Sequence, residues 1–446
     1  MQQSRIDLSV ENRKSEQEST QTLAGHARVT SVNTDQKIGR TSQARLTIAN
    51  SVISSYIMDS AAFGKAHVPG WEEGSGAYSL DTLGCFLVCE KALPDLLAAL
   101  PSALAAVPFD SALVACDFGA ADGGTSLPLW HSVADAVPEP RELHLLYEDQ
   151  ANNDWKSVFA HVDGRILLPM IPSCAMLSAP PLVPLSERPR VFVAAVGVSF
   201  HRQCLPSGSL HLGFSATAMH WLSRKPCDLP ALHHTLCPRG CPSAEAFTIQ
   251  GAHDWDRTLV ARAKELAPGG RLIIAVFVVD DMGQCLGNTS ASGGPSVAMY
   301  AALHASWLSL IDDGRITAEE AGRATFINYY RTPAQLAAPF APGGAAERAG
   351  LRLLSSRIEV TPCVFRANWM ANGGDATDYA KTFVKTVRTW SESTFSTALN
   401  ATRGGVERKE IVNELYSRYA AVVAAAPADH GMDYVHSYLS IERVAI

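Results

Sequence analysis

The chain has 446 residues, 47% of them hydrophobic and 18% charged, with a formal net charge of -7. So much apolar sequence buries a large core and excludes a generically disordered chain, and the length allows two or three domains. The acidic balance gives no footprint for nucleic acid, no lysine-rich run suits an anionic membrane surface, and no stretch approaches the roughly 20 apolar residues of a membrane span.

Residues 1–55 contain no Phe, Trp or Tyr and are rich in Gln, Ser, Thr and charges of both signs. Such sequence cannot bury enough apolar area to offset its ordering entropy, so a mobile polar extension is expected, with a first helix at Leu46 to Ile57. The start lacks a charged segment followed by an apolar core, so no secretory signal is expected. The ten cysteines show no disulfide rhythm, which points to reduced thiols and a cytoplasmic protein.

A glycine-bearing segment, Gly70 to Gly76, leads into Tyr78. Ser111 to Cys116 then reads as a strand closing on Asp117-Phe-Gly119-Ala-Ala-Asp-Gly123-Gly124, with a helix beyond. Strand, glycine turn and helix form the first half of a nucleotide-binding unit, because the glycines let the backbone approach a ligand. There is no Gly-x-Gly-x-x-Gly and no phosphate-loop lysine, which disfavours a dinucleotide or a triphosphate. Glu142 to Tyr147 is the second strand. At its end an acidic residue can accept both hydrogen bonds of a ribose diol, and Asp149 is assigned that place rather than Glu148.

Val191 to Val198 is an apolar, β-branched run that suits a strand covered on both faces. Ligands in open α/β sheets bind beyond the carboxyl ends of strands, so Ser199 and Phe200 are candidates to line a site. Pro226 to Pro242 holds Cys227, His233, His234, Cys237 and Cys241, but the spacing matches zinc ligand pairs poorly, and a loop without metal is the favoured reading. Trp255 to Leu266 carries a helical stripe, Pro268-Gly269-Gly270 stops it, and Arg271 to Val279 is a buried strand. Asp375 to Ala445 reads as mostly amphipathic helix. The pattern predicts an α/β domain over residues 56–446, with a helical cap from about 215–260 and 290–420.

One composite of residues stands out: Ser199-Phe200, Pro206-Ser207, Ser209-Leu210-His211, Ser215 and His220-Trp221-Leu222-Ser223. Together they resemble the signature of the SABATH family of carboxyl and N-methyltransferases, with Ala218 in place of an inner serine. Asp117-x-Gly119, then Asp149, Asn153 and Asp154, Arg262-Ala-Lys-Glu265-Leu-Ala-Pro-Gly269-Gly270, and Phe326 to Pro333 are similar to further family motifs. The Tyr78 segment is a degraded form of another, with Ala77 for a serine and Asp81 for an asparagine.

The resemblance implies a Rossmann-like class I methyltransferase sheet, helices on both faces, a helical cap, and S-adenosylmethionine as methyl donor. It implies Tyr78, Thr82, Asp117, Gly119, Asp149, Gln150, Ser199 and Phe200 around the donor, and Cys85, Thr217, His220 and Trp221 around a small carboxylic acid. Cys85 stands where carboxyl-methylating members carry a glutamine, and Thr217 where relatives acting on aromatic acids often carry a tyrosine. The family also often forms homodimers. A carboxylate, with a reference pKa near 4, is already ionised at pH 7. In-line transfer to it therefore needs alignment and exclusion of water, with His220 and Trp221 as positioning groups and no general base.

Three alternatives stay open. Members that methylate ring nitrogens share this frame. Gly197-Val-Ser199-Phe-His201 half resembles a serine hydrolase elbow, with His201 where the second glycine belongs. The altered Tyr78 segment also allows a binding protein without turnover.

Overall fold

A computed structural model describes residues 72–108, 110–177, 183–292 and 297–444. The expected extension over residues 1–55 and the helix at Leu46 to Ile57 lie outside the described residues.

The strands of the main sheet are β1 (Leu113–Phe118), β2 (Leu143–Asp149), β3 (Val191–Gly197), β4 (Leu210–Ala216), β5 (Leu266–Phe277), β6 (Leu351–Thr361) and β7 (Tyr434–Arg443). They form one sheet in the order β3-β2-β1-β4-β5-β7-β6. The first five run parallel, and β7 enters antiparallel between β5 and β6. The helices are α1 (Ala77–Asp81), α2 (Gly84–Ala105), α3 (Leu127–Ala136), α4 (Trp155–Val162), α5 (Pro242–Glu265), α6 (Met299–Asp312), α7 (Ala318–Arg323), α8 (Pro333–Ala337), α9 (Ala345–Arg348), α10 (Val364–Asn372), α11 (Ala376–Ala398) and α12 (Gly405–Ala425). Among the described residues no helix is long and apolar enough to cross a membrane.

Alternation along β5 divides the core. Ile273 and Ala275 face a cluster built from α2, α3, α6, α11 and α12, while Leu272, Ile274 and Val276 face Trp255, Leu259 and Ala263 of α5. On α2 the buried residues Val88, Cys89, Ala92, Leu96, Ala99 and Ala103 recur at helical spacing, so one face of the helix meets the sheet. The strand order reverses between β1 and β4, and their loops diverge there, which opens a crevice at the carboxyl ends.

Two expectations are corrected. β3 is not covered on both faces: it is the sheet edge, with Phe192 54% exposed. A β-branched run specifies an extended backbone, not its position in a sheet. The 215–260 half of the cap is helical only from Pro242, since residues 217–241 are irregular apart from a short turn at His234–Leu236. The end of the chain is mostly helix through α11 and α12, as expected, but β7 follows them and completes the main sheet, and β6 interrupts the second cap segment. The residues of β7 look polar, with His436 and Ser437 in the middle, yet both are fully buried between sheet neighbours.

A buried ion pair ties α5 to the crevice. Arg262 and Glu265, both side chains fully buried, meet at 2.7 Å. The guanidinium donates to the carbonyls of Phe200 (3.0 Å) and Arg202 (2.8 Å) and lies over the Phe118 ring, 4.1 Å from its centroid. Glu265 accepts from the Cys204 and Leu205 N–H groups. The segment after β3 thus hangs on one charge pair. Arg262→Met strands a buried carboxylate and two carbonyls, and should cost about 3 to 5 kcal/mol in urea unfolding; a loss below about 1 kcal/mol would show that the pair does not hold the segment.

Candidate active site

The crevice begins at the β1 turn. Gly119 adopts φ +74°, and a Cβ there would fall 2.3 Å from the Cβ of Ala218. Both positions therefore need small residues, which gives Ala218 a steric reason. The N–H of Ala121 donates to Asp149 Oδ2 at 2.8 Å, and Gln150 N–H donates to Oδ1 at 2.7 Å. Asn153 reaches back to the carbonyl of Ala121. The loops after β1 and β2 are stitched together by the side chain expected to meet a ribose.

The segment carrying Tyr78 is held by residues that sequence reading missed. Buried Asp122 accepts the Ser79 N–H at 2.8 Å, the Ser79 hydroxyl, and the Gly124 N–H at 3.2 Å, with buried His161 at 3.7 Å. Asp154, which matched a motif but had no role, caps α4 and accepts the Gly74 N–H at 2.9 and 3.1 Å, while Ser157 accepts the Gly76 N–H at 2.8 Å. The only local signal is the Asp154-x-x-Ser157 capping pattern.

The crevice has two joined parts. An outer space of about 760 Å³ is lined by Tyr78, Gly119, Ala121, Asp149, Gln150, Ser199, Phe200 and His201, among others. An inner one of about 410 Å³ is lined by Thr82, Cys85, His220 and Asn328 with the aromatics Phe277, Tyr300, Tyr330 and Tyr434. Tyr78, Thr217, Trp221 and Trp390 wall both. Trp390 comes from α11 and carries no sequence signal. Thr217 has φ +56°, a rare conformation for a β-branched residue. Its N–H donates to the Ala275 carbonyl at 2.8 Å and its hydroxyl lies 3.3 Å from His436 Nε2, so the sharp exit from β4 is fixed on two sides.

Most residues expected around a donor share the outer part, and those expected around an acceptor share the inner one. Thr82 faces only the inner part, and its hydroxyl donates to the Tyr78 carbonyl at 2.6 Å. Asp117 reaches neither part: its carboxylate accepts the Ser126 hydroxyl and the Trp130 indole N–H (3.1 Å) beneath α3. The strand end points this side chain under the turn, and only Gly119 follows the crevice. Burial pushes the Cys85 thiol up to about 11, so it stays neutral and offers a weak donor. His220 packs edge-on against Phe277 at 5.0 Å and beside Trp221 at 5.4 Å.

Among the described residues no three His, Cys, Asp or Glu side chains gather to hold a metal. His233 stacks on Tyr300 at 4.2 Å, and His234 accepts the Tyr330 N–H at 2.9 Å. The His201 ring faces the Thr258 hydroxyl at 3.4 Å, not Ser199.

The sheet order and a crevice at its reversal define the class: a Rossmann-like α/β fold of the class I methyltransferase kind. A family model for S-adenosylmethionine-dependent carboxyl methyltransferases matches residues 91–444, and the chain belongs to that family, also known as SABATH. A probable S-adenosylmethionine-dependent methyltransferase of Arabidopsis thaliana is 28% identical over 199 residues, 40% of this chain and 47% of the relative. Methyltransferase LUC1 of a Fusarium species is 27% identical over 263 residues, 58% of this chain and 63% of the relative. The chain thus spans about half the length of the Arabidopsis relative. The solved structure of loganic acid methyltransferase with SAH shares the fold, with a TM-score of 0.61 at 18% identity over 85% of this chain and 99% of that one.

Burial raises Asp117 from its ordinary 3.8 to about 6, while the Ser126 and Trp130 donors lower it. Between those values the native carboxyl keeps a proton that the unfolded chain has released, so this group makes stability fall as pH rises from about 4 to about 6. Asp117→Asn keeps an oxygen acceptor and removes the titration. Relative to wild type, the variant should gain up to about 3 kcal/mol across that window in urea unfolding; a flat difference would refute the shift.

Proposed function

We propose that the protein transfers a methyl group from S-adenosylmethionine to the carboxylate of a small acid, forming its methyl ester. The observation that carries this reading is the pair of joined cavities, an outer one at the carboxyl ends of β1 and β2 and an inner aromatic one, meeting at Tyr78, Thr217, Trp221 and Trp390. The outer part fits an adenosyl donor in chemistry. Gly119 leaves the backbone bare, and Asp149 presents a carboxylate. That carboxylate offers about four acceptor sites, of which two are taken by the Ala121 and Gln150 N–H groups, leaving two for a ribose diol.

The donor, when bound, supplies an electrophilic methyl and its own leaving group. Tyr78, Gln150, Ser199 and Phe200 hold it in the outer part. Thr217, His220 and Trp221 position the acceptor, the indole N–H donating to a carboxylate oxygen, while the aromatic wall excludes water. No proton has to be removed from an ionised carboxylate, so no side chain is assigned as base. Among the described residues no Lys or Arg lines the inner part, which favours N-methylation of an uncharged heterocycle as the second reading.

The finer expectations follow the same reading. One catalytic domain spans residues 56–446, and the protein works as a homodimer, which light scattering in solution would test. All ten cysteines are free, which supports the reducing cytoplasm.

The test is calorimetric titration with S-adenosylmethionine and S-adenosylhomocysteine, followed by a mass-spectrometric screen of acids and heterocycles. Donor binding with ester formation is expected, whereas N-methyl products alone would select the second reading. Asp149→Ala should raise the Kd for S-adenosylhomocysteine about tenfold to a hundredfold, since a hydrogen bond to a charged group contributes about 1.5 to 3 kcal/mol. Unchanged affinity would remove Asp149 from the donor site.

A further inference from the structure

Among the described residues two arginines are 1% exposed or less, Arg262 and Arg331, and only one of them has a counter-charge. Arg262 meets Glu265, whereas Arg331 forms no ion pair. Its Nε and Nη2 donate to the Gly251 carbonyl at 3.2 and 2.7 Å, and its Nη1 donates to the Met219 carbonyl at 3.0 Å. The guanidinium also lies 5.3 Å from the centre of the Trp255 ring. Asp254 is the carboxylate that acts on it most, but Asp254 is spent on the Ser223 N–H and hydroxyl, each at 2.8 Å, and on the Gln250 amide at 2.9 Å. Carbonyls and an aromatic face satisfy donors without neutralising a buried charge. A guanidinium has five N–H groups, of which three are used here, so one remains on each Nη.

Arg331 lines a cavity of about 700 Å³ between α5, α8 and α9, which shares no lining residue with the crevice. Arg348 lines it as well, its Nη1 donating to the Gly343 carbonyl. The other polar side chains around the space are Asp256, Tyr329 and Gln335. The Gln335 amide donates to the Tyr329 hydroxyl at 3.0 Å, so these two satisfy each other, and Asp256 is the single acid in the lining. Two cations face one carboxylate, and the cavity keeps a positive charge. Its remaining side chains are apolar: Trp255, Pro339 and three alanines.

The chemistry of an occupant follows from these walls. A carboxylate offers two oxygens to a planar fork of N–H groups, which a guanidinium prefers to a point charge, and an apolar body would cover the alanines and Pro339. We propose that this cavity is a second binding site, for a small organic carboxylate held by Arg331 and Arg348, apart from the crevice in which methyl transfer is assigned. The same guanidinium fixes the carbonyl of Met219, the residue before His220, so the site lies directly behind the acceptor wall. The proposal stands independently of the ester-forming reading.

The test titrates benzoate, acetate and inorganic phosphate calorimetrically into the full chain saturated with S-adenosylhomocysteine. Benzoate should bind more tightly than acetate, which has no body for the apolar walls, and more tightly than phosphate. Arg348→Gln should weaken benzoate about tenfold, since a charge-assisted hydrogen bond is lost. Asp256→Asn removes the opposing charge and should tighten it about threefold. Neither residue lines the crevice, so opposite shifts in the two variants locate the site, and S-adenosylhomocysteine affinity should be unchanged in both. Acid bound in the crevice is insensitive to both substitutions and titrates as a separate equivalent. Arg331→Gln should abolish the sensitive equivalent, and where that variant does not fold the other two decide. Absence of benzoate binding, binding that either Arg348→Gln or Asp256→Asn leaves unmoved, or a preference for phosphate would overturn the proposal.

Discussion

The Arg262–Glu265 pair is the interaction on which the geometry of the crevice depends. Two charges removed from water are costly, and their attraction offsets that cost only where the remaining donors and acceptors are also satisfied. Here they are: the guanidinium holds the Phe200 and Arg202 carbonyls and the carboxylate holds the Cys204 and Leu205 N–H groups. The pair therefore converts the exit of an edge strand, which would otherwise be free to drift, into a fixed wall. Ser199 and Phe200 stand in the outer cavity because α5 holds the carbonyls next to them.

The rest of the crevice is built by the same means, short polar side chains clamping backbone. Asp149 gathers N–H groups from two loops, Asp154 takes the Gly74 N–H from the glycine segment before Tyr78, Asp122 takes the Ser79 N–H just after it, and the Thr217 N–H is tied to β5. This network explains why the left-handed turns at Gly119, Ala121 and Thr217 persist despite their cost. The result is a wall shared by two cavities, where alignment of two reactants can be set by rigid elements and not by flexible loops.

The inner cavity is unusual for an anionic ligand, since among the described residues no Lys or Arg lines it and its walls are aromatic. In a medium of low dielectric, a few well-placed donors act strongly and an unpaired polar atom is correspondingly expensive. Cys85 contributes a weak donor, and the amide that the resemblance leads one to expect there is missing. An amide is present nonetheless, at Asn328, a residue brought to Trp221 from more than one hundred positions along the chain.

The amino-acid sequence by itself determined the parts of the protein that are encoded locally. The β1 and β2 strands, the Gly119 turn, Asp149 at a strand end, and the Ser199 to Ser223 signature could all be read because each is a short pattern whose residues act within one strand and its loop. The tertiary structure alone decided that β3 is an edge, that polar-looking β7 fills the gap between β5 and β6, that Asp117 points under α3, and that Trp390 and Asn328 close the cavities. The physical reason is that periodicity reports which face of an element is buried, whereas strand neighbours and cavity walls are set by pairings between segments distant in sequence, which leave no local trace.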